Sequence, residues 1–256
     1  MHMAHVIAFV NQKGGVGKTT STVNIATYLA AAGKFVLLVD LDPQGNASSG
    51  LGVDARAQRH TLYDALLSAQ PPGTTVQTAH RSLHILPSTP DLAGANIDLV
   101  HMERREERLK DVLLPLRTQF DYILIDSPPS LGLLTVNGLV AAEHVVIPVQ
   151  AEYYALEGLS QLLETIELVR HNLAPQLSIM GALITMYDRR NRLARQVVRE
   201  MRAHFPGYVF DSVIPRSVRL AEAPSFGKPI AAFDALSKGA RAYKAAAQEI
   251  IALTTS

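Results

Sequence analysis

Residues 11–20 read NQKGGVGKTT. A glycine-rich turn ending in Gly17-Lys18-Thr19 suits a nucleotide phosphate loop. Two features depart from the common pattern G-x-x-x-x-G-K-[ST]: Gln12 stands where a glycine is wanted, and a second lysine, Lys13, precedes the turn. Residues 5–10, just before it, form a short apolar run of strand character. Residues 18–32, just after it, read as a helix closed by Gly33. A turn of Gly14, Gly15, Val16 and Gly17 in that context aims successive backbone N–H groups at one point, and the helix N-terminus adds partial positive charge. Lys18 is then placed to reach β- and γ-phosphates, Thr19 to ligate Mg2+ through its hydroxyl, and Thr20 to hold the α-phosphate. A glycine turn that merely caps a helix has no need of Lys18 and Thr19 together.

Outward from the loop, short apolar runs alternate with helical stretches. Strand candidates are residues 35–40, 83–86, 122–126, 144–149 and 178–185. Helical stretches are 103–117, 156–172, 191–205 and 239–253. YILID (122–126) and VVIPV (145–149) are almost unbroken in apolar residues, as strands covered on both faces are. The series predicts an α/β fold: a doubly wound, mostly parallel sheet with helices on both faces, one P-loop NTPase domain over residues 1–256. Met1-His2 is set aside as an expression remnant, and QPPGTT (70–75) reads as an exposed turn.

In such sheets ligands sit at the carboxyl ends of strands. Lys13, Asp40, Asp42, Asp126 and Gln150 fall there. Asp40 and Asp42 close LLVDLDPQG, and Asp126 closes the run in YILIDSPPS. A carboxylate at the end of a buried strand beside a phosphate loop suits the holding of hydrated Mg2+; the other reading is a turn residue or helix N-cap.

Composition narrows the class. With 256 residues, 48% hydrophobic and 18% charged, the chain is ordinary for a soluble globular protein and long enough for one large α/β domain. The absence of cysteine excludes disulfides, thiolate metal sites and iron–sulfur clusters, and a reducing cytoplasm fits. No apolar run reaches the roughly 18 residues of a membrane span, and no secretory signal is expected. The nine histidines show no metal-ligand spacing. Net charge is +1, but residues 186–244 hold 12 Lys+Arg against 5 Asp+Glu, leaving 12 against 18 elsewhere. Within that segment, residues 191–205 form an amphipathic pattern. Arg192, Arg195, Arg199 and Arg202 share an arc of about 80° at 3.6 residues per turn. Leu193, Val197, Val198, Met201 and Phe205 fall opposite. Phosphate-backbone binding suits that face, beside the plainer reading of a solvated surface.

Four ordered motifs carry a family resemblance over about residues 5–250. Lys13 to Thr20 resembles the deviant Walker A motif of the ParA/MinD ATPases. DLDPQGN (40–46) is similar to their switch I, and ILIDSPPS (123–130) to their Walker B and switch II. IPRSVRLAEAPSFGKPI (214–230) resembles a late segment of the chromosomal ParA (Soj) branch. The resemblance implies an ATP hydrolase, slow and partner-stimulated, using ATP and Mg2+. It implies an ATP-bound homodimer in which Lys13 crosses to the partner's phosphates; neutralising its own nucleotide is the alternative role. Lys13, Lys18 and Asp42 are then the catalytic set, Asp42 orienting the attacking water. Thr19, Asp40 and Asp126 serve the metal. Glu152 falls near the interface and the sugar, and Met186, Pro215 and Arg216 border the base. The ParA branch binds double-stranded DNA non-specifically, for which Arg190 and Arg219 lead, with Arg192, Arg195, Arg216 and Lys244. It implies stimulation by a ParB-type centromere-binding protein, a cytoplasmic, nucleoid-associated protein, and no stable membrane association. With the loop beginning near residue 13, no N-terminal helix-turn-helix domain is expected. A MinD-like membrane-cycling ATPase is the alternative, against which the alanine-rich end AYKAAAQEIIALTTS (242–256) argues.

Overall fold

The computed structural model describes residues 3–58, 61–69, 76–152 and 155–255. Met1-His2 and the turn expected at 70–75 lie outside them. The described chain runs β1 (His5–Phe9), α1 (Lys18–Ala31), β2 (Val36–Asp40), α2 (Asn46–Gly50), α3 (Leu62–Ser68), β3 (Val76–Gln77), β4 (Leu83–Leu86), α4 (Ala95–Asp98), α5 (Arg108–Leu113), β5 (Tyr122–Asp126), α6 (Leu133–Ala141), β6 (His144–Gln150), α7 (Ala155–Asn172), β7 (Ser178–Thr185), α8 (Arg192–His204), α9 (Val218–Glu222), α10 (Ile230–Phe233) and α11 (Lys238–Thr255).

The strands form one sheet in the order β3-β4-β2-β5-β1-β6-β7. Every pairing is parallel except the short β3 against β4. β1 alternates between two apolar layers: Val6 and Ala8 enter one, with Val10 just beyond the strand, and Ile7 and Phe9 the other. That double burial is why the strands read as unbroken apolar runs. Helices α1 and α11 cover one face, with Ile25, Leu29, Tyr243 and Ile250 buried there. Helices α3, α5, α6, α7 and α8 cover the other through residues such as Leu66, Val112, Leu139, Ile166 and Met201. Each such side chain taken from water contributes about 1.5–3 kcal/mol before entropy is counted.

All six strands expected from the sequence are present, with ends shifted by a residue at most. The helix expected over 103–117 is shorter. Arg104 takes a left-handed backbone (φ 51°), and its guanidinium holds Glu107 at 2.7 Å and Asp111 at 3.3 Å, so 103–107 is a turn. Pro115, which has no N–H to donate, turns the far end into a 3-10 stretch, Leu114–Leu116.

Candidate active site

The loop between β1 and α1 is anchored on both sides. Gly15 (φ +74°) and Gly17 (φ +87°) adopt left-handed backbone that a side chain would strain, and Gly17 caps α1. Thr185 Oγ1, at the end of β7, donates to Val16 O at 2.7 Å. Asn11 Nδ2 donates to Pro148 O of β6 at 2.7 Å, and Asn11 Oδ1 accepts from Lys13 N at 2.9 Å. The turn is therefore held open by its neighbours rather than left to the flexibility of three glycines.

The two lysines sit differently. Lys18 is 6% exposed, and its Nζ lies beneath the loop, donating to Lys13 O at 3.2 Å. Burial lowers its pKa, opposed by the nearby charges of Asp126 and Asp42. Lys13 instead points across the surface. Its Nζ meets Glu152 Oε2 at 3.3 Å, and it is not among the residues lining the cleft over the loop. Glu152 also accepts from Gln150 Nε2 at 2.7 Å and lies 3.6 Å from the Arg216 guanidinium.

Two carboxylates meet behind the cleft because β2 and β5 are neighbours in register, Asp40 opposite Asp126. Asp40 is fully buried; its Oδ2 accepts from Ser48 N (2.8 Å) and Ser48 Oγ (2.7 Å). Asp126 is equally buried and accepts at Oδ1 from Thr22 Oγ1 at 3.2 Å, while among the described residues its Oδ2 has no partner. Burial, and then Asp40 facing it, push Asp126 up to about 8; burial raises Asp40 to about 6 against the Ser48 hydrogen bonds. Asp42 lies at the cleft wall, its Oδ1 accepting from Gln44 N at 3.0 Å.

This donor set fits a hydrated divalent cation. An orphaned buried carboxylate oxygen, two carboxylates pushed toward protonation mainly by burial, and the Thr19 hydroxyl at the cleft are all relieved by one hard positive charge. Asp40 and Asp126 stand behind the cleft and Thr19 lines it, so the carboxylates would hold such an ion through water.

The cleft encloses about 500 Å³, lined by Gly14, Gly15, Gly17 to Thr20 and Asp42 on one side and Leu220, Ala223, Pro224 and Lys228 on the other. A second space of about 220 Å³ adjoins it through Gly17, Thr20, Met186, Leu220 and Ala221. Ile214, Pro215, Arg216 and Tyr243 line it. Met186 takes φ +51°, unusual for a side-chain-bearing residue. Backbone bonds from Tyr187 N to Ile214 O and from Arg216 N to Tyr187 O, both 3.0 Å, set Met186 beside Pro215. Gly14, Gly15, Gly17 to Thr20 and Met186 thus border the larger space, and Met186, Pro215 and Arg216 the adjoining one, while Lys13 and Val16 line neither.

The basic residues are less unified. Arg192, Arg195, Arg199 and Arg202 are exposed along α8, while Ala194, Val197 and Met201 pack inward. Leu193, expected on the apolar side, is 43% exposed, because it stands at the edge of that stripe rather than over the sheet. Arg190 forms a two-pronged pair with Asp188, both bonds at 3.1 Å. Arg219 meets Glu222 at 3.2 Å and Asp234 at 3.5 Å and lies over the Phe233 ring. Arg195 Nη1 donates to Arg189 O at 2.6 Å, and Lys244 is exposed on α11.

Several positioning residues escape a reading of the sequence. Thr22, one turn beyond Lys18, could be found from helical spacing. Ser48 and Thr185 could not, since no sequence rule places them beside Asp40 or Val16.

Comparison with known proteins follows the same motifs. Residues 4–179 match a family described as an AAA domain. The sporulation initiation inhibitor protein Soj of Bacillus subtilis is 52% identical over 251 residues, covering 98% of this chain and 99% of that protein. The chromosome-partitioning ATPase Soj of Thermus thermophilus is 54% identical over 247 residues, covering 96% and 95%. A Mycobacterium smegmatis crystal structure, named cobyrinic acid a,c-diamide synthase with bound ATP analog and magnesium, matches with a TM-score of 0.87 at 38% identity. It covers 99% of this chain and 96% of that one.

Proposed function

Given that this chain belongs to the ParA/MinD family of deviant Walker A ATPases, we propose that it is a partition ATPase that cycles on DNA. Residues 1–256 act as one ATPase domain. The chain takes ATP and Mg2+, as its relatives' names and bound ligands support. ATP closes two copies face to face, the dimer binds double-stranded DNA without sequence preference, and hydrolysis releases it. A ParB-type centromere-binding protein stimulates an otherwise slow turnover. The protein is then nucleoid-associated in the cytoplasm, with no stable membrane association.

In this reading the N–H groups of residues 14–20 and Lys18 cradle the phosphates, and Thr20 holds the α-phosphate. Bound Mg2+ supplies charge neutralisation at the β- and γ-phosphates, held through Thr19, Asp40 and Asp126. Asp42 orients the attacking water. Met186, Pro215 and Arg216 border the base. Arg190 and Arg219, with Arg192, Arg195, Arg216 and Lys244, meet DNA phosphates.

The observation that carries the dimer is the position of Lys13. Lys18 fills the space beneath the loop, while Lys13 lies outside its own cleft, paired with the half-exposed Glu152. A surface pair of this kind is worth little, on the order of 0–1 kcal/mol, so it yields readily to a partner's triphosphate. Dimerisation also explains switching on DNA. If one subunit meets about four phosphates, its log–log salt slope is about −3.6 and the dimer's about −7, and the second engagement becomes intramolecular. On the membrane-cycling alternative, α11 spends its apolar face on α1 through Ala240, Tyr243, Ala247 and Ile250. No helix among the described residues is long and apolar enough to cross a membrane.

The test is the mass of the particle with a non-hydrolysable ATP analogue and Mg2+. The unaltered chain is expected to double in mass while Lys13→Gln binds nucleotide and stays single. A Lys13→Gln chain that dimerises normally overturns the trans role.

A further inference from the structure

At the end of the sheet opposite the phosphate loop, β1 and β6 begin side by side and gather His5, Glu143 and His144. All three are half-buried. One donor atom from each, a ring nitrogen or a carboxylate oxygen, lies within 4.8 Å of the other two. The imidazole centroids are 6.4 Å apart, with ring planes 30° from parallel.

Ser178 holds the His144 ring. Its Oγ lies 2.9 Å from His144 Nδ1, donating or accepting according to the ring's tautomer, and 3.2 Å from Glu143 O. An imidazole held at one nitrogen by a hydrogen bond, with the other left for an ion, is how metal-binding histidines are steadied. Glu143 uses Oε1 for its ion pair with Arg117, while Oε2 accepts only a long bond from Val6 N at 3.5 Å, which leaves a second lone pair on that oxygen. The backbone beneath is rigid: Glu143 N donates to Val6 O at 2.9 Å, and Ser178 N to Glu143 O at 2.9 Å.

We propose that His5, His144 and Glu143 form a binding site for a divalent transition ion, Zn2+ by preference, separate from the Mg2+ of the nucleotide. Two imidazoles and one carboxylate oxygen suit Zn2+, leaving a position for water. Mg2+ prefers oxygen donors in near-octahedral array and keeps its waters, so it does not compete here. The ion ties together the starts of β1 and β6, and through Ser178 steadies β7. Five-residue β1 at about 3.3 Å per residue puts the ion about 17 Å from the loop, so it changes stability rather than nucleotide affinity.

The test uses metal-free, tag-free full-length chain titrated with ZnCl2 by calorimetry and with Co2+ by visible absorption, in the presence of Mg2+ and ADP. One equivalent is expected to bind, to produce Co2+ d–d bands, and to raise the melting temperature. His5→Ala and His144→Ala abolish this; His204→Ala, an exposed histidine beside Glu200, leaves it unchanged. Ser178→Ala, which removes no ligand, weakens the affinity about 10–100-fold by freeing the His144 ring. The proposal is overturned if the His5→Ala/His144→Ala double variant binds Zn2+ as the unaltered chain does. It is equally overturned if Co2+ gives no d–d bands. Should the double variant not fold, an unchanged Zn2+ affinity in Ser178→Ala overturns it instead.

Discussion

The phosphate-loop cleft and the arginine face of α8 both present positive charge, yet they are built in opposite ways. In the cleft a single buried lysine, Lys18, is set against Asp126 and Asp42, and each group is held by a hydrogen bond: Lys18 to Lys13 O, Asp126 to Thr22 Oγ1, Asp42 to Gln44 N. On α8, Arg192, Arg199 and Arg202 stand exposed on one turn after another, and Arg190 nearby has a side chain 87% exposed. Charges removed from water act strongly on one another and tolerate little displacement. Exposed charges act weakly, additively and through salt. The first arrangement suits chemistry at one phosphorus atom; the second suits a polymer whose phosphates recur everywhere.

Substitutions can sharpen that contrast. Asp42→Ala is expected to keep ATP binding, read with a fluorescent nucleotide, while turnover falls about 10²–10⁴-fold; retained turnover removes Asp42 from the water. Lys18→Ala should weaken nucleotide binding itself by about 10²–10³-fold. At the same site pH gives a signed effect. Asp126 and Asp40 titrate in the fold at about 8 and about 6, above the ordinary 3.8. The protonated forms are thus favoured by folding, and the stability they carry, complete below about pH 4, is lost as pH rises through those values. The ligand-free melting temperature should fall between about pH 5 and 8.5; Mg2+ with ADP, or Asp126→Asn, should flatten that slope. A ligand-free melting temperature that climbs over this range would contradict the crowding of the two carboxylates.

The effects on the exposed basic residues of α8 and α11 are smaller. Each of Arg192→Ala, Arg195→Ala and Lys244→Ala should lower DNA affinity alike on any sequence, and reduce the salt slope by about 0.9 for each phosphate the side chain neutralises. Sequence-dependent losses would break the comparison. Smallest of all, Leu193→Ser should leave stability within about 0.5 kcal/mol, since that side chain is 43% exposed.

Much of the cleft was legible in advance because its signals are local. Gly17-Lys18-Thr19 between a strand and a helix needs only adjacent residues, and an aspartate closing an apolar run marks a strand end. The misread elements were those where a local pattern met a local exception: the turn at Arg104 and the break at Pro115 shortened an otherwise helical stretch. The trio of His5, Glu143 and His144 was invisible, since two of its members lie some 140 positions from the first and no spacing rule spans a parallel crossover.

By itself, then, the sequence determined six of the seven strands, which loop makes the glycine turn, and which helix carries arginines outward, because periodicity and backbone preference are properties of neighbours along the chain. Tertiary structure alone decided that Asp40 faces Asp126, that Ser48 grips the one and Thr22 the other, and that Lys18 lies beneath the loop while Lys13 lies outside it. Those outcomes depend on strand order and burial, which set how close charges come and how little water screens them.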